Sequence, residues 1–210
     1  MTPEGFQQAT GISDDVLARL AAHVALLEKW QRTINLVGRG SLGDVWRRHV
    51  LDSAQLAPHL PPTAKVIADI GSGAGFPGLV LAIMGPVAGA DFHLIESDER
   101  KCAFLREANR VTQAGATIHH CRVENLRGLR GLKADLVVAR SVAPLTKLLP
   151  FANPVLNKQG QCLFLKGKKW RGELTETQKN WIMKESTIRS MSDPSGMILK
   201  LEAITRRDFS

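Results

Sequence analysis

The chain has 210 residues, with 28 Lys and Arg against 20 Asp and Glu, for a formal net charge of +8. A hydrophobic share of 44% suits a packed core and excludes disordered and collagen-like classes. At roughly 100–200 residues per domain, the length predicts one domain with an appendage. No apolar run reaches the ~20 residues that cross a bilayer, and Met1-Thr2-Pro3-Glu4-Gly5 leads into no apolar segment. A soluble, cytoplasmic protein is expected.

In chain order, Ser13 reads as a helix N-cap, with Asp14 and Asp15 at the positive end of the dipole and Leu17, Leu20, Val24 and Leu27 at helical spacing. A second helical stretch is expected from about Leu42 to Leu60, ended by Pro61-Pro62. The texture then changes. Strands are predicted at 66–70, 91–96, 117–119, 135–139 and 161–165. Helices are predicted between them at 78–84, 98–111, 124–129 and 145–156, and the tail could add two last strands. That alternation predicts an α/β fold, a doubly wound and mostly parallel sheet. The expected organisation is an N-terminal helical cap over 1–60 on an α/β domain over 61–210.

Cys102, Cys121 and Cys162 are odd in number and form no CxxC pair, and the six histidines form no HExxH; neither a disulfide framework nor a metal site is expected. Positive charge gathers late. Residues 151–210 hold 11 Lys and Arg against 6 Asp and Glu, densest at Lys166-Gly167-Lys168-Lys169-Trp170-Arg171. Such a patch concentrates polyanions, although a solvated face would look the same.

The strand Val66–Ile70 runs directly into Gly71-Ser72-Gly73-Ala74-Gly75, a turn that lets backbone approach a ligand closely. The glycines alone admit a dinucleotide site. Asp69, two residues before Gly71, stands where dinucleotide sites usually carry an apolar residue, and Asp69-x-Gly71-x-Gly73-x-Gly75 resembles the first motif of S-adenosylmethionine-dependent methyltransferases. Glu96, at the end of the next strand, can accept both hydroxyls of a ribose. Both cofactors have a ribose, so Glu96 does not choose between them.

After the fourth strand comes Ala139-Arg140-Ser141-Val142-Ala143-Pro144, not the Asn/Asp-Pro-Pro-aromatic motif of exocyclic-amine methylation. No cysteine has a Pro neighbour, as pyrimidine C5 chemistry usually requires of its nucleophile. A substrate atom that already carries a lone pair, such as a ring nitrogen, fits what remains.

The motif Asp69-Ile-Gly-Ser-Gly-Ala-Gly-Phe-Pro-Gly78, with Trp30-Gln-Arg-Thr-Ile-Asn35-Leu36 upstream, closely resembles the bacterial RsmG family, also called GidB. Arg48-His49-Val50-Leu51-Asp52-Ser53, Lys101 to Leu105, Arg122-Val123-Glu124, Arg140 to Leu145 and Leu165-Lys166-Gly167 match the same pattern in order. The resemblance implies a Rossmann-like class I methyltransferase fold. It also implies methyl transfer from S-adenosyl-L-methionine to guanine N7 in 16S ribosomal RNA, free or within the small subunit. By likeness, Gly71, Phe76, Val123, Glu124 and Arg140 line the cofactor site, joined by Asp69, Ser72, Gly73, Gly75 and Glu96 from the motif reading. Gln31 stands where Asn is usual and Ser141 where Ala is common; little effect is expected from either. No site is expected beyond about residue 172, where the likeness fades.

Guanine N7 is an unprotonated acceptor, so no base need remove a proton, and catalysis reduces largely to positioning. Arg140 and Lys166, after strand ends, are the expected catalytic pair, contacting phosphate or guanine O6 and leaving N7 free. Arg32, Asn35, Arg48 and His49 from the cap, with Lys166, Lys168 and Lys169, are the expected RNA contacts. Nothing in the chain demands more than a monomer. A dinucleotide-dependent oxidoreductase and a basic RNA-binding protein with an idle pocket are the competing readings.

Overall fold

The computed structural model describes residues 1–122, 125 and 131–207. Seven strands form one sheet: β1 (Val66–Ile70), β2 (Asp91–Glu96), β3 (Thr117–His120), β4 (Ala134–Arg140), β5 (Leu156–Lys166), β6 (Trp181–Arg189) and β7 (Met197–Arg206). Their spatial order is β3-β2-β1-β4-β5-β7-β6, and β7 alone runs against the rest. The parallel centre follows from sequence. Ile67, Ala68, Ile70, Leu136, Val137 and Val138 are all fully buried, because helices cover both faces of these strands. Alternation along each strand sorts the side chains. Ile67, Leu94, Leu136 and Leu163 enter one apolar cluster, while Ala68, Ile95, Val137 and Cys162 enter the other.

Since β1 pairs with β2 on one side and β4 on the other, the chain reverses direction across the sheet at β1. A crevice opens beyond the strand ends at such a switch point. The loops after β1, β2 and β4 meet there.

The first cluster is packed by α2 (Asp14–Trp30), α5 (Gly78–Met84) and α6 (Glu99–Thr112), with α1 (Pro3–Thr10) adding Phe6. The second is packed by α7 (Leu145–Ala152) and α8 (Trp170–Gln178). Ser13 caps α2 as expected, its hydroxyl accepting from Val16 N at 3.3 Å. Phe6, Leu20 and Leu27 of the cap share one buried cluster with Leu79, Leu94 and Phe104, so the core runs unbroken across residue 60.

The single helix expected from Leu42 to Leu60 is instead a series of short pieces: α3 (Arg39–Leu42), a wide π-type turn over Trp46–Leu51 that runs into α4 (Asp52–Ala54), and a 3-10 turn at Ala57–His59. Gly43 ends the first piece, and Pro58 has no N–H to continue a helix. The expected 145–156 helix stops at Ala152, because Asn153 precedes Pro154 and β5 begins at Leu156. Helices α1 and α8 were not anticipated, and the helix expected at 124–129 lies outside the described residues.

Candidate functional site

The turn after β1 is set by backbone. Gly71 N and Ser72 N both donate to Ile95 O, at 2.8 and 3.0 Å, which folds the turn onto the end of β2. Gly71 has φ +71°, and a Cβ there would lie 2.6 Å from Val142 Cγ2, so only glycine passes under the β4 loop. Ser72 Oγ donates to Asp69 O at 3.1 Å and is itself buried.

Asp69 lies beneath this turn rather than in the wall of the pocket. It is 1% exposed; Oδ2 accepts from Gly78 N at 3.0 Å, and Oδ1 has no partner. Burial raises its pKa to about 7, against the pull of the Gly78 hydrogen bond. A Cβ on Gly78 would sit 2.5 Å from Asp69 Cβ, which explains the last glycine of Gly-Phe-Pro-Gly. The arrangement also bears on cofactor choice. A pyrophosphate would need the N–H groups that open α5, but Gly78 N already donates to Asp69 and Leu79 N and Val80 N to Gly75 O.

Glu96 closes the other side. Oε2 accepts from Gly73 N at 2.9 Å, while Oε1 accepts from Ser97 N and Asp98 N at 2.7 and 2.8 Å. Between Glu96 and the turn lies a pocket of about 360 Å³ walled by Gly71, Gly73, Phe76, Ile95, Val142 and Leu36. The volume is that of a small-molecule site, and among the described residues Glu96 is its one carboxylate.

Arg140 ends β4 and borders this pocket and a second, larger cleft of about 770 Å³. Its guanidinium donates to Arg48 O at 2.9 Å, to Asp52 Oδ2 at 3.3 Å and to His49 Nδ1 at 2.7 Å, and lies 5.1 Å from the Phe76 ring centroid. A guanidinium can only donate, so His49 Nδ1 accepts and the imidazole proton sits on Nε2. That proton goes to Ser41 Oγ at 2.7 Å, and Ser41 donates to Gly38 O at 2.6 Å. A polar chain therefore ties Arg140 to the loop at residues 36–38. Burial first, then the Arg140 charge, lowers the His49 pKa to about 3. The ring stacks 5.1 Å from Phe76, and His23 packs nearby at the same distance, with its Nε2 on Ala74 O at 2.8 Å. His49 is thus a buried strut with both ring nitrogens engaged, not an outward RNA contact.

Other expected residues are dispersed. Arg48 is exposed and lines the large cleft with Arg47. Lys166 also borders it, but Nζ is bonded to Glu173 Oε2 at 2.6 Å and Ala143 O at 2.9 Å, with the side chain 10% exposed. It is a structural tie, contrary to the expected phosphate or O6 contact. Lys168 and Lys169 border a separate depression with Glu173 and Glu176. Arg32 and Asn35 face a third groove across the 36–38 loop. Val123 and Glu124 lie outside the described residues.

The sequence reading missed three contributors. Gln31 Oε1 accepts from Leu36 N and Val37 N at 2.9 and 3.0 Å, and Nε2 donates to Val37 O at 2.8 Å. Gln31 thus braces the loop that walls the pocket. Asp52 joins Arg140 to the β6–β7 loop through Ser192 Oγ. That loop, with Ser190, Ser192 and Gly196, lines the cleft from the tail, where no site was expected. Only pairing of β7 with β5 brings it there, a relation no local sequence signal carries.

The family model described as GidB, rRNA small subunit methyltransferase G, matches residues 16–198. The chain is 48% identical over 206 residues to a Ribosomal RNA small subunit methyltransferase G of Paramagnetospirillum magneticum, covering 98% of each. It is 51% identical over 202 residues to one from Rhodospirillum centenum, covering 96% of this chain and 91% of that one. Among solved structures, a fibrillarin/Nop5p complex chain aligns at TM-score 0.58 and 15% identity over 75% of this chain and 82% of its own. M. jannaschii TYW2 in complex with AdoMet aligns at 0.56 and 15% over 84% and 80%. These two show a shared Rossmann-like fold. With the family match covering most of its length, this chain belongs to the GidB family of small-subunit ribosomal RNA methyltransferases.

Proposed function

We propose that the protein transfers a methyl group from S-adenosylmethionine to N7 of a guanine in 16S ribosomal RNA. When bound, that cofactor supplies an electrophilic methyl on a sulfonium. The 360 Å³ pocket fits it in kind: Glu96 offers a carboxylate to ribose hydroxyls, Phe76, Ile95 and Val142 offer apolar walls, and the glycine turn brings backbone close. Asp69 fixes the turn from below.

The observation that carries the reading is the junction of pocket and cleft. Leu36, Val37, Arg140 and Ser141 border both. Arg140 is a donor, and the groups behind it, His49 and Asp52, are committed to hydrogen bonds. Among the described residues, the junction offers no free base. A nucleophile that must lose a proton would find no acceptor among them, whereas guanine N7 needs none. Arg140, held at four points, positions a base without migrating onto N7. Arg48, exposed at the cleft rim, suits a phosphate.

The test is incubation of the protein with methyl-labelled S-adenosylmethionine and ribosomal RNA from cells lacking it, followed by nucleoside analysis. Label in 7-methylguanosine is expected. Label in an amine- or C5-methylated base would overturn the ring-nitrogen assignment.

A further inference from the structure

The 36–38 loop has cationic ground on both sides. Beside the loop, sharing no lining residue with the large cleft, lies a groove of about 420 Å³ bordered by Arg32, Asn35, Arg39, Asp98, Arg100 and Lys101. Its charge is lopsided, with four cations to one carboxylate. That carboxylate is committed, since Asp98 Oδ1 accepts from Arg100 N and Lys101 N at 2.9 and 3.2 Å as the cap of α6. Arg100 Nε reaches it only at 3.9 Å, between exposed side chains. Among the described residues, the side chains of Arg32, Arg39 and Lys101 make no ion pair or hydrogen bond, unlike Lys166, Arg140 and Arg47. Lys101 also borders the 360 Å³ pocket, so one cation is shared by groove and site.

The ridge between groove and cleft is rigid. Gln31 bonds both Leu36 N and Val37 N, and Ser41 holds Gly38 O. Three unpaired cations, with Arg100 only loosely paired to Asp98, beside a fixed ridge match a polyanion that crosses the ridge and is gripped on both sides.

We infer that the groove bordered by Arg32, Arg39, Arg100 and Lys101 is a second phosphodiester-binding site, which holds the RNA strand beside the 36–38 ridge, apart from the Arg48 rim. The inference rests on the RNA-methyltransferase reading and adds where the strand runs. Backbone contacts of this kind fix register and affinity without reading sequence. A nucleotide between the two grips would be presented over Arg140 and Ser141.

The test measures binding of the full-length protein to small-subunit ribosomal RNA over a salt series, with no methyl transfer required. In the double variant Arg39→Gln, Arg100→Gln, both side chains are exposed and outside the cofactor pocket. Loss of two phosphate contacts, at about 0.7–0.9 each, should make the slope of log K against log salt shallower by about 1.5. The dissociation constant should rise on the order of tenfold near 0.1 M salt, with melting temperature and S-adenosylmethionine affinity unchanged. Wild-type slope and affinity in the double variant would overturn the assignment. So would an equal change in Lys158→Gln, Lys184→Gln, which removes two exposed charges elsewhere and would make the effect one of net charge. Intact RNA binding by the wild type without 7-methylguanosine formation would instead sink the proposed reaction and leave the groove standing.

Discussion

His49, His23 and Asp69 give the protein an unusual dependence on acid. His49 and His23 have folded pKa values of about 3 and about 4 against 6.5 unfolded, so their contribution is present above 6.5 and lost as pH falls. Asp69 runs the other way. At about 7 against 3.8 it holds a proton that the unfolded chain has released, so its contribution is lost as pH rises between those values. Near pH 5 the unfolded chain therefore binds two more protons at the histidines and one fewer at Asp69. Together these three groups make stability rise by about 1.4 kcal/mol per pH unit, one proton's worth, and His93 and His119, whose pKa values burial also lowers, add in the same direction. Urea titrations at pH 4.5, 5.0 and 5.5 check this. Asp69→Asn should steepen the slope by about one proton, and His49→Gln should flatten it by about one. Glutamine can accept from Arg140 and donate to Ser41, so the flattening should come without loss of the polar chain.

At the scale of elements, the site depends on two loops brought from opposite ends of the chain. The π-type turn at Trp46–Leu51 presents Arg48 and His49, and α4 begins with Asp52, whose two oxygens reach Arg140 and Ser192. Gln55 adds Met191 N at 2.7 Å, and Arg47 donates to Ser192 O at 2.7 Å. The β6–β7 loop is thus held to the cap by polar bonds. Asp52→Ala leaves the buried Arg140 charge without its carboxylate, at a cost of about 3 kcal/mol, and should lower turnover as Arg140 loses its orientation. Ser192→Ala removes only the loop contact. It should cost about 1 kcal/mol and raise the KM for RNA more than it lowers turnover. Urea unfolding and methyl-transfer kinetics on both variants separate the roles; equal kinetic effects would show that Asp52 acts only through the loop.

For the whole molecule, cap and sheet are one body in packing terms. Phe6 is fully buried against Trp46, with ring centroids 5.6 Å apart, in the cluster that includes Leu94 of β2 and Phe104 of α6. Phe6→Ala should therefore behave as a core truncation, costing about 3–5 kcal/mol, despite its place in the first turn of helix. Unfolding followed by tryptophan fluorescence and far-ultraviolet circular dichroism should remain a single transition. Separate transitions would show that the cap melts independently. Coupling of this kind keeps the 36–38 ridge, which belongs to the cap, in register with the glycine turn, which belongs to the sheet.

The strands and the glycine turn were legible because burial on both faces writes apolar runs directly into sequence, and because only glycine passes beneath Val142 at position 71. Ser13 and the family motifs are likewise local signals. What the sequence could not decide was which cations are free. Lys166 and Arg140 read like Arg39 and Arg100 in one dimension, yet pairing across the fold commits the first two to Glu173 and Asp52 and leaves the others exposed. Gly43 and Pro58 break the expected 42–60 helix locally, but the inward turn of His49 and the arrival of the β6–β7 loop at the cleft share that origin. Each is settled by partners distant in the chain, since charge and hydrogen-bonding capacity are properties of a residue but their satisfaction is a property of its surroundings.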